Sequence, residues 1–94
     1  MNLEKSKKRI AKKIKMGFQG YPEISIAYLG RSNDHADEVV MTFVADEGVQ
    51  PMEEKFKSES DAREDEAIQS AIVKMIERSD AKTVVLIDGI KLIS

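Results

Sequence analysis

The chain has 94 residues, with 15 Lys and Arg, 17 Asp and Glu, one histidine, no cysteine and a formal net charge of −2. That length makes one domain around one modest core, and the lack of cysteine excludes disulfide staples, thiolate catalysis and Cys-based zinc or iron–sulfur sites. No apolar run approaches the ~20 residues needed to span a bilayer, and the basic start is not followed by an apolar secretory core, so the expectation is a cytoplasmic protein with no membrane role.

Residues Asn2 to Met16 read as a helix, with Leu3, Ile10, Ala11 and Ile14 on one side at helical spacing. Lys5, Lys7, Lys8, Arg9, Lys12, Lys13 and Lys15 stand against a single acid, Glu4. On a helical wheel Lys5, Lys8, Arg9, Lys12 and Lys15 occupy the far side, with Lys13 at its margin. The apolar stripe is narrow, which predicts a helix lying on the core rather than inside it. Gly17 can stop the helix in a left-handed cap, Gly20 and Pro22 prevent its restart, and Phe18 and Tyr21 are expected to plug the turn.

Glu23–Leu29 alternates Ile24, Ile26 and Tyr28 against Ser25, Ala27 and Leu29, and Gly30–Asp34 is a polar turn. Glu38–Ala45 is apolar on both sides, as central strands are, and the short link predicts an antiparallel pair. Asp46–Met52 is a loop. Glu54–Ser58 reads as a short edge strand with Phe56 pointing inward between Lys55 and Lys57, charges of the kind that protect an edge.

Asp61–Ser79 is the clearest helix, with Ile68, Ala71, Ile72, Met75, Ile76 and Ser79 on one face and Ser60 or Asp61 as N-cap. Glu64, Asp65 and Glu66 lie at its positive end, where the dipole favours carboxylates by ~0.3–1 kcal/mol each at low salt. In Thr83–Ile93, Val84, Val85, Leu86 and Ile87 form a buried-strand run. Asp88-Gly89 fits either a hairpin turn into Ile90–Ile93 or a bulge in one longer strand. The predicted architecture is α+β: one mostly antiparallel sheet of three to five strands covered by two helices, in the order α-β-β-(β)-α-β, as a single domain over residues 1–94.

Charge is distributed unevenly. From Asp34 to Glu66, twelve carboxylates oppose only Lys55, Lys57 and Arg63. The basic helix therefore meets either an outside polyanion or the protein's own acidic half. Asp34-His35-Ala36-Asp37-Glu38 is where the lone histidine meets acids. A turn is an ordinary place for such residues, and one histidine makes a poor transition-metal site. No Ser or Thr is coupled to His35 as a nucleophile, and no carboxylate sits in a clearly apolar setting. Asp88 comes nearest, and its glycine neighbour favours a turn.

Gly17-Phe18-Gln19-Gly20 has the GxxG pattern of a KH nucleic-acid loop, but it links a helix to a strand and carries no Lys or Arg. The α-β-β-(β)-α order is similar to that of the double-stranded-RNA-binding domain, and Asp34-His35 before a Val-rich strand resembles that family's loop and strand. That family grips phosphates with lysines at the start of its second helix. Asp61-Ala62-Arg63-Glu64-Asp65-Glu66 would repel them here, which excludes RNA binding by that surface. The run Glu53-Glu54-Lys55-Phe56-Lys57-Ser58 through Asp61–Glu77 and into Thr83–Gly89 resembles a group of small uncharacterised bacterial proteins. That likeness implies a bacterial, free-standing domain and carries over no catalytic, cofactor or metal-binding residue.

The functional expectation is a small non-enzymatic binding or accessory protein acting through charged surfaces, with no cofactor or metal. Its partner is another protein or a second copy held by opposite charges. The alternative is nucleic-acid binding through Lys5, Lys8, Arg9, Lys12 and Lys15. The narrow apolar stripe and the lack of Trp speak against membrane insertion. A small-ligand or enzymatic role would require a polar-lined pocket between sheet and helices.

Overall fold

The computed structural model describes residues 2–93, which form two helices and four strands. In chain order these are α1 (Leu3–Lys15), β1 (Glu23–Gly30), β2 (Glu38–Val44), β3 (Met52–Lys57), α2 (Glu66–Ser79) and β4 (Thr83–Leu92), with a 3-10 turn (Ala62–Glu64) leading into α2. The fold is α+β, as the sequence predicts. The sheet runs β3-β2-β1-β4, with antiparallel pairs except for β1 and β4, which are parallel.

Period-two alternation decides which face of the sheet is covered. Ile24, Ile26 and Tyr28 of β1 stand level with Phe43, Met41 and Val39 of β2 and pack under the helices. From α2, Ile68, Gln69, Ile72, Val73 and Ile76 are buried against them, whereas α1 buries only Ser6 and Ile10. Ala11, expected on the apolar stripe, is exposed. Gln69 ties the layers together: its Nε2 donates to the Tyr28 hydroxyl and to the Ala62 carbonyl, both at 2.9 Å. Burial raises the Tyr28 pKa, partly offset by the Gln69 hydrogen bond. On the other face Ser25, Ala27, Leu29, Val40 and Thr42 are half-buried.

Helix ends follow capping chemistry. Asn2 caps α1, its Oδ1 accepting from the Lys5 N–H at 2.9 Å, and Gly17 ends it at φ +71°. The cap of α2 is Asp65, not Ser60 or Asp61. Asp61 starts the intervening 3-10 turn, while the Asp65 carboxylate accepts from the N–H groups of Ala67 and Ile68 and from the Ser58 hydroxyl. At the other end Asp80 takes the left-handed position at φ 54°. Thr83 anchors the α1–β1 connection to β4. Its Oγ1 donates to the Gly20 carbonyl at 2.6 Å and accepts from the Gln19 N–H at 2.8 Å.

Two further expectations are corrected. Phe18 is no plug: it is 62% exposed, edge-on to Tyr21. The Val84–Ile87 run is not a wholly buried strand. β4 lies at the sheet edge; Val84 is buried, while Leu86 and Ile87 are 39% and 50% exposed. Asp88-Gly89 is a bulge. Leu86 stands level with Ile26 and Ile90 with Tyr28, so three residues of β4 pass a single residue of β1, with Gly89 at φ 72°.

Candidate functional site

The seven cations of α1 fall into two groups. Lys7 Nζ reaches Glu64 at 2.7 Å, Arg9 Nη1 reaches Glu77 at 3.2 Å, and Lys13 Nζ donates to the Ala81 carbonyl at 3.4 Å. All three turn toward α2 and its flanking turns. Arg9, placed by the wheel among the outward cations, is thereby drawn to the α2 side. The remaining Lys5, Lys8, Lys12 and Lys15 are exposed, and none makes an ion pair among the described residues. Their spacing of three, four and three residues keeps them within about 80° of helix arc, in a ridge about 15 Å long. The acidic half therefore neutralises only part of the basic helix. It supplies Glu64 to Lys7, while the partner of Arg9, Glu77, lies beyond it in α2; both pairs are solvated, each of a kind worth ~0–1 kcal/mol.

Beside this ridge, α1 and α2 leave a groove of about 230 Å³. Its floor is Ile10, Val73 and Ile76, with Met16, 51% exposed, at one end. Arg9, Lys12, Lys13 and Glu77 form its rim. Lys12 thus belongs to both ridge and groove. A second groove of about 310 Å³ opens on the other flank of α1, between Ala11, Ile14, Tyr28, Gln69 and Leu86, with Lys7, Arg63 and Glu64 at its mouth.

The Asp34–Glu38 segment has structural employment. The Asp37 N–H donates to the Leu29 carbonyl, and its carboxylate accepts from the Arg31 N–H at 3.0 Å and lies 3.2 Å from His35 Nε2. The Ser32 hydroxyl donates to Asp34 at 2.6 Å and holds that carboxyl below its usual range. The Ala62 N–H donates to the Ala36 carbonyl, stapling this loop to the 3-10 turn. Gly30 is required for the arrangement, because a Cβ there would run into the His35 carbonyl oxygen. Arg63 completes it: the guanidinium grips Asp61 with two bonds, at 2.9 and 2.6 Å, and donates to the Asp34 carbonyl. These bonds hold the Asp61 carboxyl at about 2. The strongest pKa perturbation is therefore explained by loop closure.

Among the described residues, no group of three or more His, Asp or Glu side chains is arranged to hold a metal ion, and no helix is long and apolar enough to cross a membrane. Gly17 and Gly20 flank an exposed turn at positive φ, and Asp88 sits exposed in the β4 bulge. No protein-family model matches the chain, and neither the curated proteins nor the solved structures contain a significant match to it.

Proposed function

We propose that this protein is a non-enzymatic accessory module that docks an acidic protein segment on α1. Lys5, Lys8, Lys12 and Lys15 take the segment's carboxylates, and the α1–α2 groove takes one of its apolar side chains. The observation that carries this reading is the ridge of solvated ammonium groups beside an apolar floor of Ile10, Val73 and Ile76. Lys12 borders both, so one bound segment can satisfy charge and apolar contact together. Apolar contact supplies affinity that solvated ion pairs alone do not.

Nucleic-acid binding by the same ridge is the second reading, favoured by the straight line of four lysines. The groove beside them has no aromatic side chain on which a base could stack.

Fluorescence anisotropy separates the readings. The probes are a labelled Glu/Leu peptide, a Glu-only peptide of equal length and a short DNA duplex, each at low and high salt. The Glu/Leu peptide should bind most tightly, weaken with salt, and lose about tenfold or more in Lys8→Glu/Lys12→Glu. Tighter binding of the duplex than of either peptide would move the assignment to nucleic acid. No binding of any probe at low salt would remove both readings.

A further inference from the structure

The second groove, of about 310 Å³, has apolar walls and a polar mouth. Along α1, Lys7, Ile10, Ala11 and Ile14 line it at helical spacing, over two turns or about 10 Å. Leu86 of β4, 39% exposed, lines it too, as do the buried Tyr28 and Gln69. It thus lies between sheet and helices and combines apolar walls with a few convergent polar groups, as small-molecule sites do.

Those polar groups carry more hydrogen-bond donors than the fold uses. The Tyr28 hydroxyl accepts from Gln69 Nε2 at 2.9 Å, and the same amide is fixed by its bond to the Ala62 carbonyl. The hydroxyl's own proton meets no acceptor among the described residues. Arg63 directs Nε and Nη2 to Asp61 and the Asp34 carbonyl, and its Nη1 makes no hydrogen bond among the described residues. Lys7 gives one of its three N–H groups to Glu64. Lys7 and Arg63 each act on the Tyr28 hydroxyl more strongly than Asp61 does, so together these charges make the potential there positive. Burial raises the hydroxyl's pKa, which keeps it a donor at neutral pH.

We propose that this groove binds a small amphipathic carboxylate, with its head group on the Tyr28 hydroxyl, Lys7 and Arg63 and its apolar chain along Ile10, Ala11, Ile14 and Leu86. An ionised carboxylate only accepts, and it takes several donors at once. A neutral head group gains less from a positive potential, and a cationic one is repelled by it. The Lys7 and Glu64 side chains are 43% and 58% exposed, so Lys7 exchanges one carboxylate for another at little cost. The groove has about twice the ~150 Å³ of a cavity that holds benzene, which suits a medium straight chain such as octanoate. No lysine of the ridge lines it, so this inference does not depend on the proposed function.

Titration of the isotope-labelled chain with octanoate, followed by backbone amide shifts, tests it, with circular dichroism confirming that each variant folds. The shifts should saturate and cluster at Lys7, Ala11, Ile14 and Leu86. Octanol, which lacks the charge, and acetate, which lacks the chain, should each bind at least about tenfold more weakly. Tyr28→Phe should weaken octanoate binding about tenfold, and Lys7→Gln at least about threefold. Lys8→Glu/Lys12→Glu should bind octanoate as the native chain does. Lys7 is exposed, so Lys7→Gln keeps the test valid if Tyr28→Phe does not fold. The proposal is overturned by shifts that do not saturate, by octanol binding as tightly as octanoate, or by Lys7→Gln binding octanoate as the native chain does. Saturable shifts confined to Arg9, Met16 and Glu77 also overturn it, because they place the carboxylate in the α1–α2 groove.

Discussion

α2 buries Ile68, Gln69, Ile72, Val73 and Ile76 and is capped by a carboxylate that gathers three donors, whereas α1 buries Ser6 and Ile10 and turns a line of lysines to solvent. Both helices cover the same face of the sheet. The difference teaches that covering a sheet and being specified by it are separable. α2 is fixed by packing and capping, while α1 is held by the buried Ile10, the half-buried Ile14, one asparagine cap and solvated ion pairs. Such a helix has a whole face available for another task.

The largest expected effect lies in α2. Ile72→Ala removes a fully buried side chain and should cost about 2–5 kcal/mol in urea unfolding. A loss below about 1 kcal/mol would break the contrast. The caps sharpen it. Asp65→Ala should cost about 1–2 kcal/mol, because Ser58 loses its partner together with two helix N–H groups, while Asn2→Ala should cost about 0.5–1 kcal/mol.

Acid should reach the α2 entry through Asp61. Its carboxyl is held at about 2, well below the usual carboxylate range, by the Arg63 hydrogen bonds. A carboxyl depressed in the folded state stabilises above its unfolded pKa, and the contribution disappears as pH falls from about 5 toward 2. Unfolding midpoints measured over that window should therefore decline less steeply in Asp61→Asn than in the native chain, by about 1–2 kcal/mol at most. The smallest effect belongs to α1: a double-mutant cycle on Lys7 and Glu64 should give a coupling below about 1 kcal/mol that fades with salt.

Much of this architecture is legible in the sequence because local periodicity encodes it. Ile24, Ile26 and Tyr28 announce a one-sided strand, Phe56 marks the inward side of β3, and Ile68, Ile72 and Ile76 mark the buried side of α2. What escapes depends on distant partners. Arg9 sits at the border of the lysine arc, and Glu77, far along the chain, decides which way it turns. Asp61 and Asp65 both suit an N-cap, and the Ala36–Ala62 staple favours a 3-10 turn between them. Asp88-Gly89 allows a hairpin or a bulge, and β1, running parallel beside it, determines the bulge. Val84–Ile87 reads as buried because its composition is that of a strand with neighbours on both sides, yet β4 has one neighbouring strand in the sheet. The lysine ridge itself was visible as spacing. The groove beside it was not, because its floor joins residues of two helices.

The account rests on α1 displaying a face that folding does not need. Urea unfolding and Glu/Leu peptide binding, measured together on Lys5→Gln/Lys8→Gln/Lys12→Gln/Lys15→Gln, address that directly. Stability should stay within about 0.5 kcal/mol of the native chain while peptide affinity falls at least about tenfold. A variant that unfolds, or one that binds the peptide as the native chain does, would contradict it.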